Sequence, residues 1–388
     1  MASLIFIGHE ATQTGAPYTQ LYLLQWLRAN TDHTVELVLL EGGALVPEFE
    51  KVATVHILNH YAGATSLGSR VLRKIDSLTQ RHLRGIYAKL KKTNPALIYA
   101  NASMSLAFGI RLKKELNMPL ILHLHELKWT FFYLDVATFV AGAQAVDFFI
   151  PCSNAVKEFH QQLCGIPNEK LRTVYSFTGL RPHDISTAQS IRYELGIPAG
   201  VRVVGAVGAP NWGKGSDLFL GVAQEFKEKG RADTHFVWLG GNPASVDCKE
   251  FVYDIEQMGL TDRVTYVGAR ADIRGFYEAF DIFLLTSRMD SFPLVCLEAA
   301  LAQRPTVCFA GAGGMPEFLR DDAGLVVPYA DTRAMAEKTR WLLDHDAERQ
   351  QMGRLGQQRA QTHHTIEAIG PQLYDVVQQF LPTVPKQS

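Results

Sequence analysis

Two acidic residues give the clearest chemical signal in this chain. Asp290 lies in a loop after a short apolar run, and Glu298 lies eight positions later in the helical pattern that follows. A carboxylate accepts paired hydrogen bonds from sugar hydroxyl groups, and the start of a helix offers free N–H groups to a phosphate. The spacing therefore predicts a site that binds sugar and phosphate together. Ordinary surface charge is the alternative interpretation.

A glycine-rich turn supplies a candidate cation. Lys214 follows another apolar run and is flanked by Gly208, Gly213 and Gly215. Glycine lets the backbone approach a phosphate closely, and lysine adds a positive charge, although a solvated lysine is the alternative. Arg270, after a further apolar run, is either a second cation for the same ligand or an exposed arginine.

The first half of the chain contains a similar turn, from Gly8 to Pro17. Proline suits the first position of a helix, so we expect a helix to start at Pro17. The turn includes Gly15 and Ala16 and can close over a diphosphate, but it does not match the dinucleotide pattern G-x-G-x-x-G. His9 either lines the binding cleft or is an ordinary loop histidine.

Histidines elsewhere are weaker candidates. His123 and His125 alternate onto one side of a predicted strand and are followed by Glu126. A metal site is one interpretation of this pair, but the sequence offers no clear third ligand, so we predict that no metal binds here. A histidine with a purely structural role is the other interpretation. His363-His364 is predicted to lie on the surface, and Asp321-Asp322 in a turn.

These loops require a framework of strands. Short apolar runs alternate with helical patterns, which is typical of α/β proteins, and several runs are continuously apolar, as in parallel strands buried on both faces. The predicted strands are 4–8, 35–40, 97–100, 120–124, 148–151, 203–207, 235–239, 264–267, 282–285, 306–309 and 324–327.

A break in this alternation predicts two domains. Residues 176–186 are interrupted by glycine and proline and are interpreted as a linker, with about five strand–helix units before residue 180 and six after it. We therefore predict two doubly wound, Rossmann-like domains, 1–180 and 181–365. Ligands of such sheets bind beyond the carboxyl ends of the strands, here in a central cleft that the two domains face.

Composition narrows the class of protein. The chain has 388 residues, 47% of them hydrophobic, and a net charge of −1, which argues against a disordered chain and against a nucleic-acid partner. The N-terminus has no basic leader, no long apolar run follows, and the five cysteines are scattered without a CxxC pair. We expect a soluble, cytoplasmic protein with reduced thiols.

The positive charge is concentrated in one segment. Residues 1–180 carry 17 basic and 13 acidic side chains, and residues 70–92 contain eight basic side chains against Asp76 alone. The apolar residues of this segment recur at helical spacing. It is either a surface helix or a basic amphipathic surface that meets anionic lipid or an acidic acceptor.

The residues around the two acids resemble a known signature. Residues 287–319 are similar to the donor-binding segment of the retaining glycosyltransferases of family 4, which have the GT-B fold. The resemblance rests on the acid–seven residues–Glu spacing with Phe292, on Gln303-Arg-Pro-Thr, and on Gly313-Gly-Met-Pro-Glu317. The sequence of residues 323–331, which follows this segment, also matches the order of residues in the family. The resemblance is specific in 203–331 and weaker in 1–180.

The resemblance implies a retaining, metal-independent transferase that uses a nucleotide-diphosphate sugar as substrate and needs no cofactor. Glu298 would hold the ribose, Asp290 and the backbone of 292–295 would hold sugar and phosphate, and Lys214 would neutralise the leaving diphosphate. The implied catalytic residues are Lys214, Asp290 and His125. The implied donor-binding residues are Gly15, Ala16, Gly208, Lys214, Arg270, Asp290, Ser291, Phe292, Pro293, Leu294, Val295 and Glu298. His9 and Glu126 are assigned to the acceptor side, where Glu126 would either support His125 or contact the acceptor.

Two positions depart from the family pattern. Ala209 stands where an arginine is usual, and Asp290 replaces the usual glutamate. A final helix in 366–388 resembles the segment that crosses back to the first domain. The acceptor is expected to be a glycan or a lipid-linked glycan of polysaccharide or glycolipid synthesis, met at the inner face of the membrane through 70–92. The alternatives are a non-catalytic glycan-binding scaffold and a sugar-nucleotide epimerase.

Overall fold

The computed structural model describes residues 2–59, 81–179, 186–270 and 273–382. The chain divides into two compact units, Met1–Ser176 with Ile366–Ser388, and Phe177–Thr365. Each unit is built on one six-stranded sheet. Residues 180–185 of the predicted linker lie outside the described residues.

The first unit contains a doubly wound parallel sheet. Its strands are β1 (Ser3–Gly8), β2 (Thr34–Glu41), β3 (Thr54–Asn59), β4 (Pro95–Asn101), β5 (Leu120–Leu124) and β6 (Phe148–Pro151). Their order is β3-β2-β1-β4-β5-β6, with parallel neighbours throughout. The chain therefore starts in the middle of the sheet and winds outward in both directions, with its switch point between β1 and β4.

Helices connect these strands. They are α1 (Gly15–Asn30), α2 (Val46–Glu50), α3 (Arg81–Lys92), α4 (Leu106–Leu116), α5 (Val136–Ala143) and α6 (Asn154–Cys164), with short 3-10 turns at Ser103–Ser105, Lys128–Phe132 and Asn168–Lys170. The side chains of Asp135 and Ser153 cap the first turns of α5 and α6 by accepting hydrogen bonds from backbone N–H groups.

The second unit repeats the same topology. Its strands are β7 (Arg202–Val207), β8 (Thr234–Leu239), β9 (Val264–Gly268), β10 (Ile282–Leu285), β11 (Thr306–Phe309) and β12 (Gly324–Val327). Their order is β12-β11-β10-β7-β8-β9, again with parallel neighbours. The switch point lies between β7 and β10, where Ile282 pairs with Val204.

The helices of the second unit surround this sheet. They are α7 (Ser186–Glu194), α8 (Ser216–Glu228), α9 (Val246–Gln257), α10 (Ile273–Ala279), α11 (Leu294–Leu301), α12 (Met315–Leu319), α13 (Thr332–Asp344) and α14 (Asp346–His363). The core between α8 and β8 is aromatic: Phe219 and Phe226 pack edge-on against Phe236, and Phe219 also packs against Trp238. Such edge-to-face contacts add about 0.5–1.5 kcal/mol beyond buried area.

All eleven predicted strands are present, and the structure adds β3, which the sequence analysis missed. The reason is that β3 lies at the edge of the sheet, where β2 is its one neighbour among the described strands, and that β3 is half-buried rather than continuously apolar. His56 in its centre bonds Glu36 of β2 at 2.7 Å. A polar edge strand lacks the apolar run that identifies a central parallel strand.

The start of α1 differs from its prediction. The helix begins at Gly15, not at Pro17, and its first main-chain bond runs from Tyr18 N–H to Thr14 C=O at 3.2 Å. Proline is tolerated at the third position because the first N–H groups of a helix have no partner within it. Gly15 and Ala16 are therefore helical residues rather than part of an open turn.

The final helix, α15 (Ile366–Gln378), packs on α1 within the first unit. Gly370 makes this possible, since a Cβ there would lie 2.6 Å from the Trp26 ring. Tyr374 adds a hydrogen bond of 2.9 Å to His33. The glycine thus sets the distance between the two helices.

The basic segment is described in part. Residues 70–80 lie outside the described residues, whereas 81–92 form α3. Arg84, Lys89 and Lys91 are exposed, and Ile86 and Leu90 are buried, so this part is a surface helix with one packed face. No helix in the described parts of the chain combines the length and apolar character needed to cross a membrane.

Candidate functional site

The loops after β7 and β10 lie on either side of the switch point in the second unit. Lys214 lies in the first loop and Asp290 in the second, and their side chains meet, with Nζ 2.5 Å from Oδ2. Because adjacent parallel strands end at one edge of a sheet, the topology brings these two loops together across 76 residues of sequence. The predicted cation and the predicted acid therefore form one cluster.

The backbone of Lys214 is held by two side chains, and the turn around it depends on glycine. Asn211 accepts a hydrogen bond from the Lys214 N–H through Oδ1, at 2.9 Å, and Thr286 donates to the Lys214 carbonyl at 3.0 Å. Gly208 has φ +150° and lies against the alkyl part of the lysine. Gly215 has φ +66°, and a Cβ there would overlap the carbonyl oxygen of Thr286.

This geometry predicts different costs for two glycine substitutions. Gly215→Ala combines left-handed backbone strain with a steric overlap, so we expect it to lower the free energy of unfolding by about 3 kcal/mol. Gly230→Ala is the matched control, because Gly230 has φ +70° but open space around its Cβ, and it should cost about 1 kcal/mol. Urea unfolding measures both values. Equal losses in the two variants would show that the overlap with Thr286 is unimportant.

The lysine is charged in this environment. Burial by itself lowers the pKa of Lys214, but the charge and hydrogen bond of Asp290 outweigh it, so the pKa of Lys214 is raised. Cys296 lies nearby, and burial raises the pKa of its thiol well above the usual value. The cluster therefore presents one ammonium group, one carboxylate and a neutral thiol.

Arg288 supports the lysine loop from the side. Its guanidinium binds both carboxylate oxygens of Asp217, at 2.7 and 2.8 Å, and lies 4.8 Å from the centre of the Trp212 ring. Its backbone N–H donates to the Gly213 carbonyl at 2.9 Å. Sequence analysis did not single out Arg288; only folding shows that it braces the turn before Lys214.

The loop that carries Asp290 is tied to the glycine run that follows β11. Asp290 N–H donates to the Ala312 carbonyl at 2.7 Å, and Gly314 N–H donates to the Ser291 carbonyl at 3.0 Å. Asp290 and Gly313 also form an isolated parallel bridge. The Gly313-Gly314 part of the predicted signature thus holds the acidic loop in place.

Glu298 lies in the second turn of α11 and has a buried partner. Tyr277 of α10 donates its hydroxyl to Oε2 of Glu298 at 2.6 Å. Burial raises the pKa of Glu298, although the Tyr277 hydrogen bond and the charge of Arg274 both act to lower it. Sequence analysis missed Tyr277, which holds one of the two carboxylate oxygens of Glu298.

The segment from Ser291 to Val295 leads into α11, which begins at Leu294 after an extended Pro293. The side chain of Phe292 is buried and stacks on His364, with ring centres 5.2 Å apart. Only the backbone of Phe292 is therefore suited to a ligand. The surface prediction for His364 was wrong, because this histidine is buried against Phe292 and Phe318.

Arg270 forms an ion pair with Glu194 in the structure. Its guanidinium binds Glu194 of α7, with Nη1 2.5 Å from Oε1, and lies 5.3 Å from the centre of the Phe276 ring. For Arg270 to act as the second cation, this ion pair has to open. Ala209, at the position of the usual arginine, is exposed.

In the first unit, the predicted histidine is linked to α1. Nε2 of His125 lies 2.8 Å from Oδ1 of Asn101, and the Asn101 amide donates to the Ala16 carbonyl at 3.1 Å. Burial, with the nearby charge of His9, lowers the pKa of His125 to about 3. The imidazole is therefore neutral at physiological pH and acts through hydrogen bonds rather than charge.

Glu126 and His9 have local partners. The Glu126 carboxylate accepts hydrogen bonds from Ser103 N–H at 3.1 Å, Ser103 Oγ at 2.7 Å and His125 N–H at 3.1 Å. Nε2 of His9 lies 3.2 Å from Glu10. Of the two roles considered for Glu126, these contacts favour support of His125 over contact with an acceptor.

The metal interpretation of the histidine pair gains no support from the geometry. His123 is buried, its Nδ1 bonds the Tyr99 hydroxyl at 2.8 Å, and its ring centre lies 4.1 Å from that of His125. Across the ranges that the structure describes, no three His, Cys, Asp or Glu side chains are grouped as metal ligands. His123 instead packs beneath His125.

Each half of the chain matches a family model of glycosyltransferases. Residues 14–178 match the family model "Glycosyltransferase Family 4", and residues 201–345 match "Glycosyl transferases group 1". The D-inositol 3-phosphate glycosyltransferase of Corynebacterium diphtheriae is 31% identical over 173 residues, 43% of this chain and 40% of that protein. The lipopolysaccharide core biosynthesis glycosyltransferase LpsD of Rhizobium meliloti is 27% identical over 199 residues, 51% of this chain and 54% of its own length. The chain thus spans about half the length of the curated relatives it matches.

Solved structures share the fold over nearly the whole chain. Anabaena Alr3699/HepE in complex with UDP and glucose has a TM-score of 0.81 and 20% identity, covering 97% of this chain and 100% of that chain. WaaG, a glycosyltransferase involved in lipopolysaccharide biosynthesis, has a TM-score of 0.72 and 15% identity, covering 96% of this chain and 99% of that chain. The predicted GT-B fold class is confirmed.

Proposed function

We propose that the chain transfers a sugar from a nucleotide-diphosphate sugar to a glycan or lipid-linked acceptor. Glycosyltransferase family models match residues 14–178 and 201–345, and the fold brings Lys214 and Asp290 together. The observation that carries the proposal is the ion pair between Lys214 and Asp290 at the switch point of the second sheet. Ligands of doubly wound sheets bind at that place.

Each side chain of the cluster has a distinct task in this proposal. The raised pKa of Lys214 keeps the ammonium protonated, so it can bind the diphosphate and stabilise the negative charge that develops as the sugar leaves. Asp290 orients that ammonium and accepts hydrogen bonds from the sugar. Tyr277 holds one oxygen of Glu298, and in this proposal the second oxygen accepts hydrogen bonds from the ribose hydroxyls.

The same proposal includes retention of configuration and independence of metal. The acceptor would attack from the face that the diphosphate leaves, and the departing phosphate would take the acceptor proton, so no carboxylate nucleophile is required. Lys214 provides the positive charge that a metal would otherwise supply. His125, being neutral, would donate or accept a hydrogen bond at the donor sugar.

Two measurements test this part of the proposal. We expect transfer activity to persist in EDTA and the product to keep the anomeric configuration of the donor sugar.

A thermal-shift panel tests the donor site. UDP, GDP, ADP, TDP and their sugar conjugates would be added to wild type, Glu298→Ala and a control variant, Glu250→Ala, which changes an exposed glutamate of α9. Ligand at about 100 Kd stabilises the native state by about 2.7 kcal/mol. We expect one base to shift wild type and Glu250→Ala equally and to shift Glu298→Ala much less. We would start with UDP because Alr3699/HepE was solved with UDP and glucose.

Two other functions remain distinguishable by experiment. A non-catalytic scaffold would show no donor turnover with any acceptor, and a sugar-nucleotide epimerase would convert the donor when no acceptor is present. The named relatives are glycosyltransferases, which supports transfer over both. Absence of any nucleotide shift in a folded sample would contradict the transferase proposal.

We also propose that the basic segment contacts anionic lipid and that the protein acts in the cytoplasm at the inner face of the membrane, in polysaccharide or glycolipid synthesis. The described part of the segment exposes Arg84, Lys89 and Lys91 on one helix. Changing these three to glutamine should lower binding to vesicles that contain phosphatidylglycerol, and the loss should shrink at high salt because the attraction is electrostatic. Nucleotide affinity should not change.

A further inference from the structure

We propose that a pocket at the amino-terminal edge of the second sheet binds a phosphate group, carried either by inorganic phosphate or by a phosphorylated sugar. The pocket has a volume of about 400 Å³ and lies within the second unit. Pockets for small ligands typically measure about 300–1,000 Å³. The polar side chains that the argument uses are Asp281, Gln303, Arg304, Arg349, Gln350 and Gln357.

This phosphate pocket is separate from the donor site. Asp281 and Arg304 stand just before β10 and β11, at the edge of the sheet where these parallel strands begin. Lys214 and Asp290 lie in loops after β7 and β10, at the opposite edge. Helix α11 runs from one edge to the other, because it follows the Asp290 loop and ends at Leu301 in the pocket wall. Its eight residues span about 12 Å.

Arg304 supplies the positive charge for the ligand. Within the described part of the chain, its guanidinium makes one hydrogen bond, from Nη2 to the Glu278 carbonyl oxygen at 2.9 Å. Its Nε is buried and has no hydrogen-bond partner among those residues. Burial lowers the pKa of Arg304, so the nearby charges of Asp281 and Glu278 do not fully offset its desolvation. An anion would both pair with the charge and accept from the unused N–H groups, which match the oxygens of a phosphate.

The other charged groups of the wall already have partners. Asp281 lies 3.2 Å from Arg202, between Oδ1 and Nη1, and its Oδ2 accepts the Val203 N–H at 2.8 Å. Arg349 is buried and binds the Asp346 carboxylate. These contacts hold the wall together and leave Arg304 as the cation that a bound phosphate would neutralise.

Three glutamines add neutral hydrogen-bonding groups to the wall. Gln303 donates through Nε2 to Oε1 of Gln357 at 3.0 Å, and Gln357 donates to the Leu301 carbonyl at 2.7 Å. Gln303 has φ +60°, a left-handed conformation that strains a residue other than glycine. Strain of this kind is often found where a ligand binds. Together with the exposed Gln350, these amides can bond phosphate oxygens or sugar hydroxyl groups.

Calorimetric titration in a phosphate-free buffer tests the proposal. The two probes are inorganic phosphate and glucose 6-phosphate, and glucose is the uncharged control. Phosphate could also bind the ammonium group of Lys214, so the titrations are made with wild type and with Lys214→Met. We expect both proteins to bind the two phosphate probes, and we expect glucose not to displace them. Tighter binding of glucose 6-phosphate than of inorganic phosphate would assign the sugar to the glutamines.

Two variants locate the bound phosphate. Arg304→Gln should raise the Kd about 10–100-fold, because hydrogen bonds to a charged group are lost. Gln350→Glu keeps Arg304 and adds a negative charge to the wall, so repulsion should raise the Kd about tenfold. Gln351→Glu adds the same charge at the next exposed position of α14, outside the pocket wall, and should leave the Kd unchanged. Gln350→Glu decides the question if Arg304→Gln does not fold.

Four results would overturn the proposal. These are no saturable binding of either phosphate probe, glucose binding as tight as glucose 6-phosphate, equal changes in Gln350→Glu and Gln351→Glu, and binding that is lost in Lys214→Met but kept in Arg304→Gln. The nucleotide thermal shift is measured on the same proteins, and Gln350→Glu should keep it. Because the two measurements depend on residues at opposite edges of the sheet, a failed phosphate result leaves the proposed transferase intact, and a failed nucleotide result leaves the phosphate pocket intact.

Discussion

Replacing Lys214 by methionine is expected to lower the rate of sugar transfer at saturating donor about 10²–10³-fold, because the variant loses the charge that stabilises the leaving diphosphate. Methionine keeps the length and apolar packing of the side chain against Gly208. Single-turnover kinetics with the sugar nucleotide identified in the thermal-shift panel measures the effect. Lys249→Met, which changes an exposed lysine of α9, is the matched control and should keep the wild-type rate.

The ion pair makes a stability control necessary. Lys214→Met leaves the Asp290 carboxylate, only 14% exposed, without its cation, which we expect to cost about 1–3 kcal/mol of folding free energy. Lys214→Met/Asp290→Asn removes the uncompensated charge. The double variant should therefore unfold at higher urea than Lys214→Met and yet be no more active. Recovery of transfer in the double variant would mean that the lysine acts only through the fold.

Removing the Glu298 carboxylate is expected to weaken nucleotide binding about 10–100-fold. Hydrogen bonds to a charged group are worth about 1.5–3 kcal/mol, and about 1.4 kcal/mol corresponds to a tenfold change in Kd. Glu298→Ala should therefore raise the Kd of the nucleotide diphosphate in calorimetric titration. Glu250→Ala should leave it unchanged, and an unaltered Kd in Glu298→Ala would remove the ribose role from this residue.

The hydrogen bond from Tyr277 predicts a shift in the pH dependence of that affinity. The ionised carboxylate of Glu298 is the better acceptor, and its pKa is already raised, so affinity should fall as the pH is lowered toward that pKa. Tyr277→Phe removes a hydrogen bond that lowers the pKa of Glu298. The fall should then begin at higher pH than in wild type. Tyr253→Phe, which changes an exposed ring, is the control, and overlapping profiles for the three proteins would contradict the coupling.

The donor-side candidates have signals that are local in the sequence. Lys214 and Asp290 each follow a buried strand, which places both loops at one edge of the sheet, but only the pairing of β7 with β10 makes the two loops neighbours. The supporting residues have no such signal. Tyr277 lies 21 positions before Glu298 and Arg288 lies 71 positions after Asp217, so only packing shows that they are partners.

Two other residues have partners that the sequence does not indicate, for the same physical reason. His364 reads as surface because its sequence neighbours are polar, yet it is buried against Phe292, 72 residues away in a different element of the same unit. Arg270 was considered as a ligand for the donor, and the structure pairs it with Glu194. The side-chain partners of a charged or aromatic residue depend on which elements become neighbours, and periodicity does not contain that information.

The sequence by itself determined the α/β class, eleven of the strands and the loops that carry the candidate site, because continuous apolar runs and glycine-rich turns are properties of a few consecutive residues. Only the tertiary structure decided the edge strand β3, the pairing of Lys214 with Asp290, the bond between Tyr277 and Glu298, and the burial of His364. These features join residues that are distant in sequence, and burial is settled only when the whole unit has folded.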